Sequence, residues 1–194
     1  FVAGILRRAA EMTIFGNPLT NSFQRLGEYE APKYITWSHQ NRSPLIAVPL
    51  ASGGQANRMK VRAFDGCINP YIVFALLIHA GLDGIAEQLP LAPACDENLF
   101  TAPDAVRAQY EALPCSLCDA IRCAESSEFI ARYLPAKARD AFFAAKQAEH
   151  DRIALADDRT AAERALYFER DRPGLKPDRN TDCPKGGDAG WNAS

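Results

Sequence analysis

The sequence predicts an α+β fold, in which helices pack on an antiparallel sheet. Three short strand signals come first, at residues 34–38, 45–49 and 58–62, and helical patterns fill most of the chain after them. Strands grouped ahead of helices are typical of α+β folds, whereas regular alternation of the two would indicate an α/β fold. Hydrophobic residues make up 47% of the 194 residues, which is ordinary for a globular domain with a buried core.

The first two strand signals are rich in β-branched and aromatic residues, and a short polar link joins them. A link of that size between two strand signals predicts a β-hairpin. In the third run, Arg58, Lys60 and Arg62 alternate with apolar residues. Because alternate side chains of a strand project from the same face, we expect these three basic side chains on one face of the sheet.

The strongest helix signal begins at Asn69-Pro70, since Asn is a preferred N-cap and Pro is tolerated at the first helical position. The residues that follow, to about Ile85, are apolar nearly all round, which predicts a buried helix. His79 lies among apolar neighbours there, so we expect it to pack rather than to react. Three further helices are expected, at 116–134, from Pro135 onward and at 161–168.

The start of the chain is expected to be the end of a helix, over residues 1–13, which Gly16-Asn17-Pro18 interrupts. Residues 19–32 show no clean period and are expected to form a binding loop. The chain begins at Phe1 rather than Met, so we interpret it as a fragment that lacks its N-terminal part. We expect the folded part to cover 1–171 and a disordered tail to cover 172–194, where Gly, Pro, Asp and Lys dominate.

Charge and cysteine content exclude several function classes. The net charge of −2 gives no indication of nucleic acid or an anionic membrane as partner. No apolar run reaches the roughly 18 residues that a membrane helix needs. Cys115-x-x-Cys118 has neither a second such pair nor a nearby histidine, so a zinc site is disfavoured. The six scattered cysteines are typical of a reducing cytoplasm.

Several motifs in the first half of the chain occur in the order and with the spacing of one family. They are Asn17-Pro18, Asn21-Ser22-Phe23-Gln24-Arg25-Leu26, Tyr29-Glu30-Ala31-Pro32, Asn41-Arg42-Ser43, Arg58-Met59-Lys60-Val61-Arg62, Asn69-Pro70-Tyr71 and Ala80-Gly81-Leu82-Asp83-Gly84-Ile85. Together they resemble the type I glutamine synthetase family, over about residues 1–171. The resemblance is to the C-terminal part of that family's catalytic domain.

This resemblance implies a ligase that joins glutamate and ammonia with ATP through γ-glutamyl phosphate. Its cofactors would be ATP with Mg²⁺ or Mn²⁺, and the complete protein is expected to be a homo-oligomer. The chemistry suits arginines, because a guanidinium pairs bidentately with carboxylate or phosphate. The family's other metal ligands would lie upstream of Phe1, so this chain alone is expected not to catalyse the reaction.

The resemblance also implies a role for individual residues. Arg25 and Arg62 would bind glutamate. Glu30 would lie on a flap over the intermediate and help to form the ammonium site. Arg42 would contact the transferred phosphate and the substrate, so Glu30 and Arg42 would be the catalytic pair. Arg58 would be on the nucleotide side, although it could also be a simple surface charge of its strand.

At four positions the sequence departs from the family pattern. Ala47 replaces an arginine that would contact the phosphates of ATP, and Gln55 replaces a basic residue on the nucleotide side. Lys60 replaces a glutamate that would bind a metal, and an ammonium group has no lone pair to offer while it is protonated. Phe100 replaces a tyrosine that is adenylylated in some members, so that switch cannot operate.

These departures leave three interpretations open. The first is glutamine synthetase itself. The second is a γ-glutamyl-amine ligase, which would share the arginines that hold glutamate and use another amine. The third is a catalytically degenerate homologue with a binding or assembly role, which Ala47, Gln55 and Lys60 favour.

Overall fold

The structure, a computed structural model, describes residues 1–28, 30–50 and 58–169. Within these ranges helices pack around one small sheet, which confirms the α+β prediction. The strands are β1 (Trp37–Ser38), β2 (Ile46–Ala47) and β3 (Lys60–Val61). The helices are α1 (Val2–Arg7), α2 (Ala9–Gly16), α3 (Pro70–Ala86), α4 (Asp104–Arg107), α5 (Leu117–Glu125), α6 (Glu128–Tyr133), α7 (Ala136–Ala154) and α8 (Arg159–Tyr167), with a 3₁₀ helix at Thr20–Arg25.

The sheet is mixed rather than wholly antiparallel. β2 pairs antiparallel with β3, as predicted, but parallel with β1, so the predicted hairpin between the first two strands is wrong. The link between β1 and β2 explains the difference. Asn41 and Ser43 donate hydrogen bonds to the carbonyl of Glu97. These bonds hold the link so that the chain returns to the start of β1 before it enters β2, and the two strands then run parallel.

Side chains of β3 alternate between the core and the opposite face, as the sequence predicts. Met59 and Val61 are partly buried against the hydrophobic core, whereas Lys60 is exposed. The register supports the same division, because Val61 lies opposite the fully buried Ile46. The face of the sheet that carries Lys60 is therefore the one that points away from the core.

Helix α1 crosses α3 where two glycines meet. A Cβ atom placed on Gly84 would lie 2.6 Å from the Cα of Gly4, and one placed on Gly4 would lie 2.9 Å from the Cα of Gly84. Both distances are shorter than any that two packed carbon atoms can keep, and the atoms belong to helix backbones that cannot move aside cheaply. Only glycine permits this close crossing, which fixes α1 on α3.

Asn69 caps α3 as predicted, since its Oδ1 accepts a hydrogen bond from the backbone N–H of Tyr71 at 3.1 Å. The prediction that α3 is buried on all sides is wrong. One face, with Leu76 and Ala80, is buried against α1, α2 and α6. The large side chains exposed on the other face are Tyr71, Phe74, Ile78, Leu82 and Ile85. The sequence pattern identifies the apolar residues of the helix, but it does not show whether another segment of the chain buries them.

The helical segment predicted at 116–134 is two helices rather than one. Ser116 caps α5 as predicted, accepting from the N–H of Asp119 at 3.1 Å. Ser127 then takes an extended conformation and caps α6, accepting from the N–H of Ile130 at 3.0 Å. Ser residues compete well for such cap positions, so the Ser126-Ser127 pair ends the first helix. Helix α7 begins directly after Pro135, and α8 falls where the last helix was predicted.

Residues 19–32 are not wholly irregular, because the 3₁₀ helix occupies Thr20–Arg25. The N-terminal helix is also divided, into α1 and α2 at Arg8, and it continues to Gly16, three residues beyond the predicted range of 1–13. His79 packs as expected, with its ring stacked on that of Tyr133 at a centroid distance of 4.0 Å.

Gln55 and the predicted tail at 172–194 lie outside the described residues. The boundary at 171 therefore stays a prediction. In the described ranges the cysteines are free thiols, and none of the helices there has the length and apolar character needed to cross a membrane.

Candidate active site

Glu30 brings two of the predicted site arginines together. Its Oε1 accepts a hydrogen bond from the Nη1 of Arg42 at 2.9 Å, and its Oε2 lies 3.4 Å from the Nη2 of Arg62. Glu30 comes from the loop after the 3₁₀ helix, Arg42 from the link between β1 and β2, and Arg62 from the end of β3. Three segments that are separate in the sequence thus meet at one carboxylate.

The backbone of Glu30 is left-handed, with φ of 62°. This conformation costs an L-residue about 1–2 kcal/mol, so the surrounding structure has to impose it. Here the N–H of Gly27 donates to the carbonyl of Ala31, and the N–H of Ala31 donates to that of Glu28, both at 2.8 Å. Backbone strain of this kind is concentrated at functional sites, which supports Glu30 as a site residue.

The two arginines change the acidity of Glu30. The hydrogen bond from Arg42 and the charge of Arg42 lower the pKa of the Glu30 carboxyl below its usual value, and Arg62 adds to the effect. Glu30 is therefore a carboxylate at neutral pH, and it is exposed to solvent. An exposed carboxylate held between two guanidinium groups can accept hydrogen bonds or hold a cation.

The loop that carries Arg42 is attached to a distant segment of the chain. The Nδ2 of Asn41 donates to the carbonyl of Cys95 at 2.9 Å. The Oγ of Ser43 accepts from the backbone N–H of Leu99 at 3.0 Å. Ser43 is also buried, so this bond is shielded from water. These contacts fix the backbone on both sides of Arg42, while its own side chain remains largely exposed.

Arg25 lies in a different environment from Glu30, Arg42 and Arg62. Its Nη2 donates to the Oδ1 of Asn17 at 2.5 Å and to the carbonyl of Ala63. Burial lowers the pKa of Arg25, and the charge of Asp65 opposes that shift. None of the contacts among the described residues joins Arg25 to Glu30. Arg25 therefore lies outside the Glu30 cluster. Its hydrogen bond to the carbonyl of Ala63 places it next to the residue that follows Arg62.

Asp65 is the acidic side chain whose charge acts on Arg25. It accepts a hydrogen bond from the Oγ of Ser22 at 2.5 Å and one from the N–H of Cys67 at 2.9 Å. Burial raises the pKa of Asp65, but these bonds and the charge of Arg25 outweigh it, so its pKa lies below the usual value. Ser22 falls in one of the motifs and Asp65 lies between two of them, and no role was predicted for either. Only their contacts identify them as supports of Arg25.

Lys60, Ala47 and Arg58 belong to the nucleotide side that the resemblance implies. Lys60 lies directly opposite Ala47 across β2 and β3. Arg58 is exposed, and within the described ranges no ion pair joins it to the cluster. Those ranges also contain no group of three or more His, Cys, Asp or Glu side chains that could hold a metal ion. Since a protonated lysine cannot bind a metal, the described residues do not fit a divalent cation here.

The fold and the cluster thus define an α+β domain with a carboxylate between two arginines, a geometry suited to anionic substrates. A sequence model of the glutamine synthetase catalytic domain matches residues 1–167. The chain belongs to the glutamine synthetase catalytic-domain family.

Relatives and solved structures agree with this assignment. A glutamine synthetase of Methanosarcina mazei is 37% identical over 154 residues, and one of Staphylococcus aureus is 39% identical over 157 residues. Each match covers 78% of this chain and 34% of the relative, so the chain spans about a third of the length of these proteins. A GmaS–ADP complex superposes with a TM-score of 0.71 at 30% identity, covering 87% of this chain and 38% of that one. GmaS without ligand gives 0.68 at 31% identity, covering 87% and 37%.

Proposed function

We propose that this chain provides the glutamate and phosphate side of a glutamate–ammonia ligase site that uses ATP. The observation that carries the proposal is the contact of Glu30 with both Arg42 and Arg62, at positions that match the family's motifs. The family membership supports ligase chemistry. The similarity to the solved GmaS–ADP complex supports a nucleotide as co-substrate.

The reaction needs positive charge in two steps, to stabilise first the phosphoryl transfer and then the departure of phosphate. A γ-carboxylate oxygen of glutamate attacks the terminal phosphorus of ATP, ADP leaves, and γ-glutamyl phosphate forms. Ammonia then attacks the acyl carbon, phosphate leaves, and the nitrogen loses a proton. Arg42 and Arg62 present planar guanidinium groups that can hold first the carboxylate and then the acyl phosphate. Arg25, held by Asn17 and the carbonyl of Ala63, would help to orient the glutamate.

Glu30 is better suited to hold an ammonium ion than to act as a strong base. Because its pKa is lowered, it stays ionised at neutral pH and has little affinity for a proton. An ionised carboxylate beside the acyl phosphate would attract ammonium. The bound ammonium would release a proton to solvent, and the ammonia so formed would attack the acyl carbon. The arginines on either side would hold the carboxylate in place.

The cofactors and the assembly are part of the proposal. ATP would need a divalent cation, Mg²⁺ or Mn²⁺, in the family's chemistry, but the described residues supply no group that could hold one. We also propose a homo-oligomer in the reducing cytoplasm, where the free thiols among the described residues would remain reduced.

An assay of γ-glutamyl product on the full-length protein, with glutamate, ATP, Mg²⁺ or Mn²⁺ and ammonia, tests the proposal. Arg62→Lys removes the planar fork but keeps the charge, so we expect kcat/KM for glutamate to fall at least about tenfold. Arg152→Lys, at an exposed position of α7, is the matched control and should leave turnover unchanged. Absence of turnover with ammonia and with every other amine would contradict the proposal.

A second candidate is a degenerate homologue with a binding or assembly role. The observation that favours it is Lys60, exposed on the face where the resemblance calls for a metal ligand, opposite Ala47. Calorimetry with ATP and Mg²⁺ separates the two, since tight metal-dependent binding would argue against degeneracy. If Ala47 and Lys60 are what silenced the protein, the double variant Ala47→Arg, Lys60→Glu should regain turnover.

The amine acceptor is a third open choice, because a γ-glutamyl-amine ligase would use the same arginines. Comparing ammonia with alkylamines and polyamines as acceptors in the same assay decides it. A preference of tenfold or more for one amine over ammonia would assign that class.

A further inference from the structure

Ala47 and Lys60 are directly opposite each other in the antiparallel pair of β2 and β3. Residues in such a pair project from the same face, with Cβ atoms about 4.5–5.5 Å apart. The adjacent pair, Ile46 and Val61, points into the core, so Ala47 and Lys60 both point away from it. The residue opposite Lys60 therefore contributes only a methyl group, and no larger side chain at position 47 competes for the space.

The surroundings of Lys60 are rich in positive charge. Arg62 lies two residues further along on the same face. Arg42 forms an ion pair with Glu30, which also pairs with Arg62. Arg42 and Arg62 thus share one carboxylate, and Lys60 adds a further positive charge to the same face. Among the described residues Lys60 takes part in no ion pair, and it is exposed. A further carboxylate among the described residues, Asp96, accepts a hydrogen bond at 2.9 Å from Ser38, which pairs with Ala47 across β1 and β2.

A face with excess positive charge and no cluster of metal ligands in the described ranges favours an anion over a cation. We infer that Lys60 binds a phosphate group directly, in the space beside Ala47. One ammonium group would then supply positive charge that the family pattern draws from an arginine at position 47 and from a metal held at position 60. The inference deepens the proposed function, because it assigns the phosphate side of the same site.

Two consequences separate this arrangement from a metal-dependent one. Polyphosphate should bind without any divalent cation, because the positive charge is covalently part of the protein. Binding should also weaken as salt rises, since Lys60 is exposed and salt screens its charge.

Calorimetric titration of the full-length protein with tripolyphosphate in EDTA tests the inference. The wild type should bind, Lys60→Met should weaken binding at least tenfold, and Lys60→Arg should retain most of it. Lys137→Met, an exposed lysine on α7, is the control and should change nothing. Thermal unfolding of each variant checks that the fold is kept, which we expect because Lys60 is exposed.

Three results would overturn the inference: no binding by the wild type in EDTA, binding only when Mg²⁺ is added, or equal affinity in Lys60→Met. A failure of the proposed function looks different. In that case tripolyphosphate would still bind in a manner that depends on Lys60, but no γ-glutamyl product would form with any amine. The double variant Ala47→Arg, Lys60→Glu offers a further check, since its polyphosphate binding should require Mg²⁺.

Discussion

The hydroxyl of Ser22 donates to the carboxylate of Asp65 at 2.5 Å and so joins the 3₁₀ helix to the segment that follows β3. Asp65 also stands beside Arg25, which is half-buried. This bond fixes the position of the 3₁₀ helix, and with it the loop that leads to Glu30. Ser22 and Asp65 thus support the loop with Glu30, which would contact the substrate.

Replacing Asp65 should therefore destabilise the protein. Asp65→Asn leaves Arg25 without its neighbouring charge and weakens the bond from Ser22, so we expect a loss of about 1–3 kcal/mol in the free energy of unfolding. Urea unfolding measures it. Asp104→Asn is the control, because that side chain is 94% exposed and its change should cost under about 0.5 kcal/mol. Equal effects of the two substitutions would contradict the role given to Asp65.

The contribution of Asp65 should depend on pH in a defined direction. Because its pKa in the folded protein lies below its usual 3.8, its stabilising effect is complete above that value and is lost as pH falls through the folded pKa. The difference in unfolding free energy between wild type and Asp65→Asn should be constant from about pH 5 to 7 and shrink only below about pH 4. A difference that shrinks already at pH 6 would assign the effect to another group.

The acidity of Glu30 gives a direct test of the arginine cluster. Arg42→Ala should raise the pKa of Glu30, because it removes both the main hydrogen bond and the nearest positive charge. Arg62→Ala should raise it less. Carbon NMR titration of the Glu30 carboxyl measures both, with Arg58→Ala as the control. If Arg42→Ala leaves this pKa unchanged, the contact is absent in solution.

The crossing of α1 and α3 predicts an unusual sign for one substitution. In an ordinary helix interior Gly→Ala stabilises by about 1 kcal/mol, but at Gly84 the new methyl group meets the backbone of Gly4. We expect Gly84→Ala to destabilise by about 1–3 kcal/mol, measured by thermal unfolding. Gly66→Ala is the matched control, since no atom lies within 4 Å of its added Cβ, and it should be close to neutral.

Local chemistry allowed much of this fold to be predicted. The cap at Asn69, the helix start after Pro135 and the alternation around Lys60 depend on neighbours in the sequence, and each is found in the structure. The predicted hairpin failed because the direction of β2 depends on hydrogen bonds to residues 95–99, which no local pattern reveals. Ser127 was missed as a second cap because the helical pattern resumes directly after it, at Glu128.

The candidate site could be predicted in part. The motifs indicated Glu30, Arg42 and Arg62, and the structure brings these three together. They also indicated Arg25, but not that its guanidinium is held by Asn17 and the carbonyl of Ala63. Such partners come from packing between segments, so a sequence pattern identifies the residue without its environment.

The parallel pairing of β1 and β2 also bears on how the protein folds. A hairpin at this place could form from local contacts within about 1–10 μs. Instead, the loop with Arg42 is held by hydrogen bonds that span 54 and 56 residues. Contacts of such separation require large chain loops to close first, which slows folding. Arg42 therefore takes its place beside Glu30 only after residues 95–99 have docked, so refolding should recover helical structure well before it recovers ligand binding.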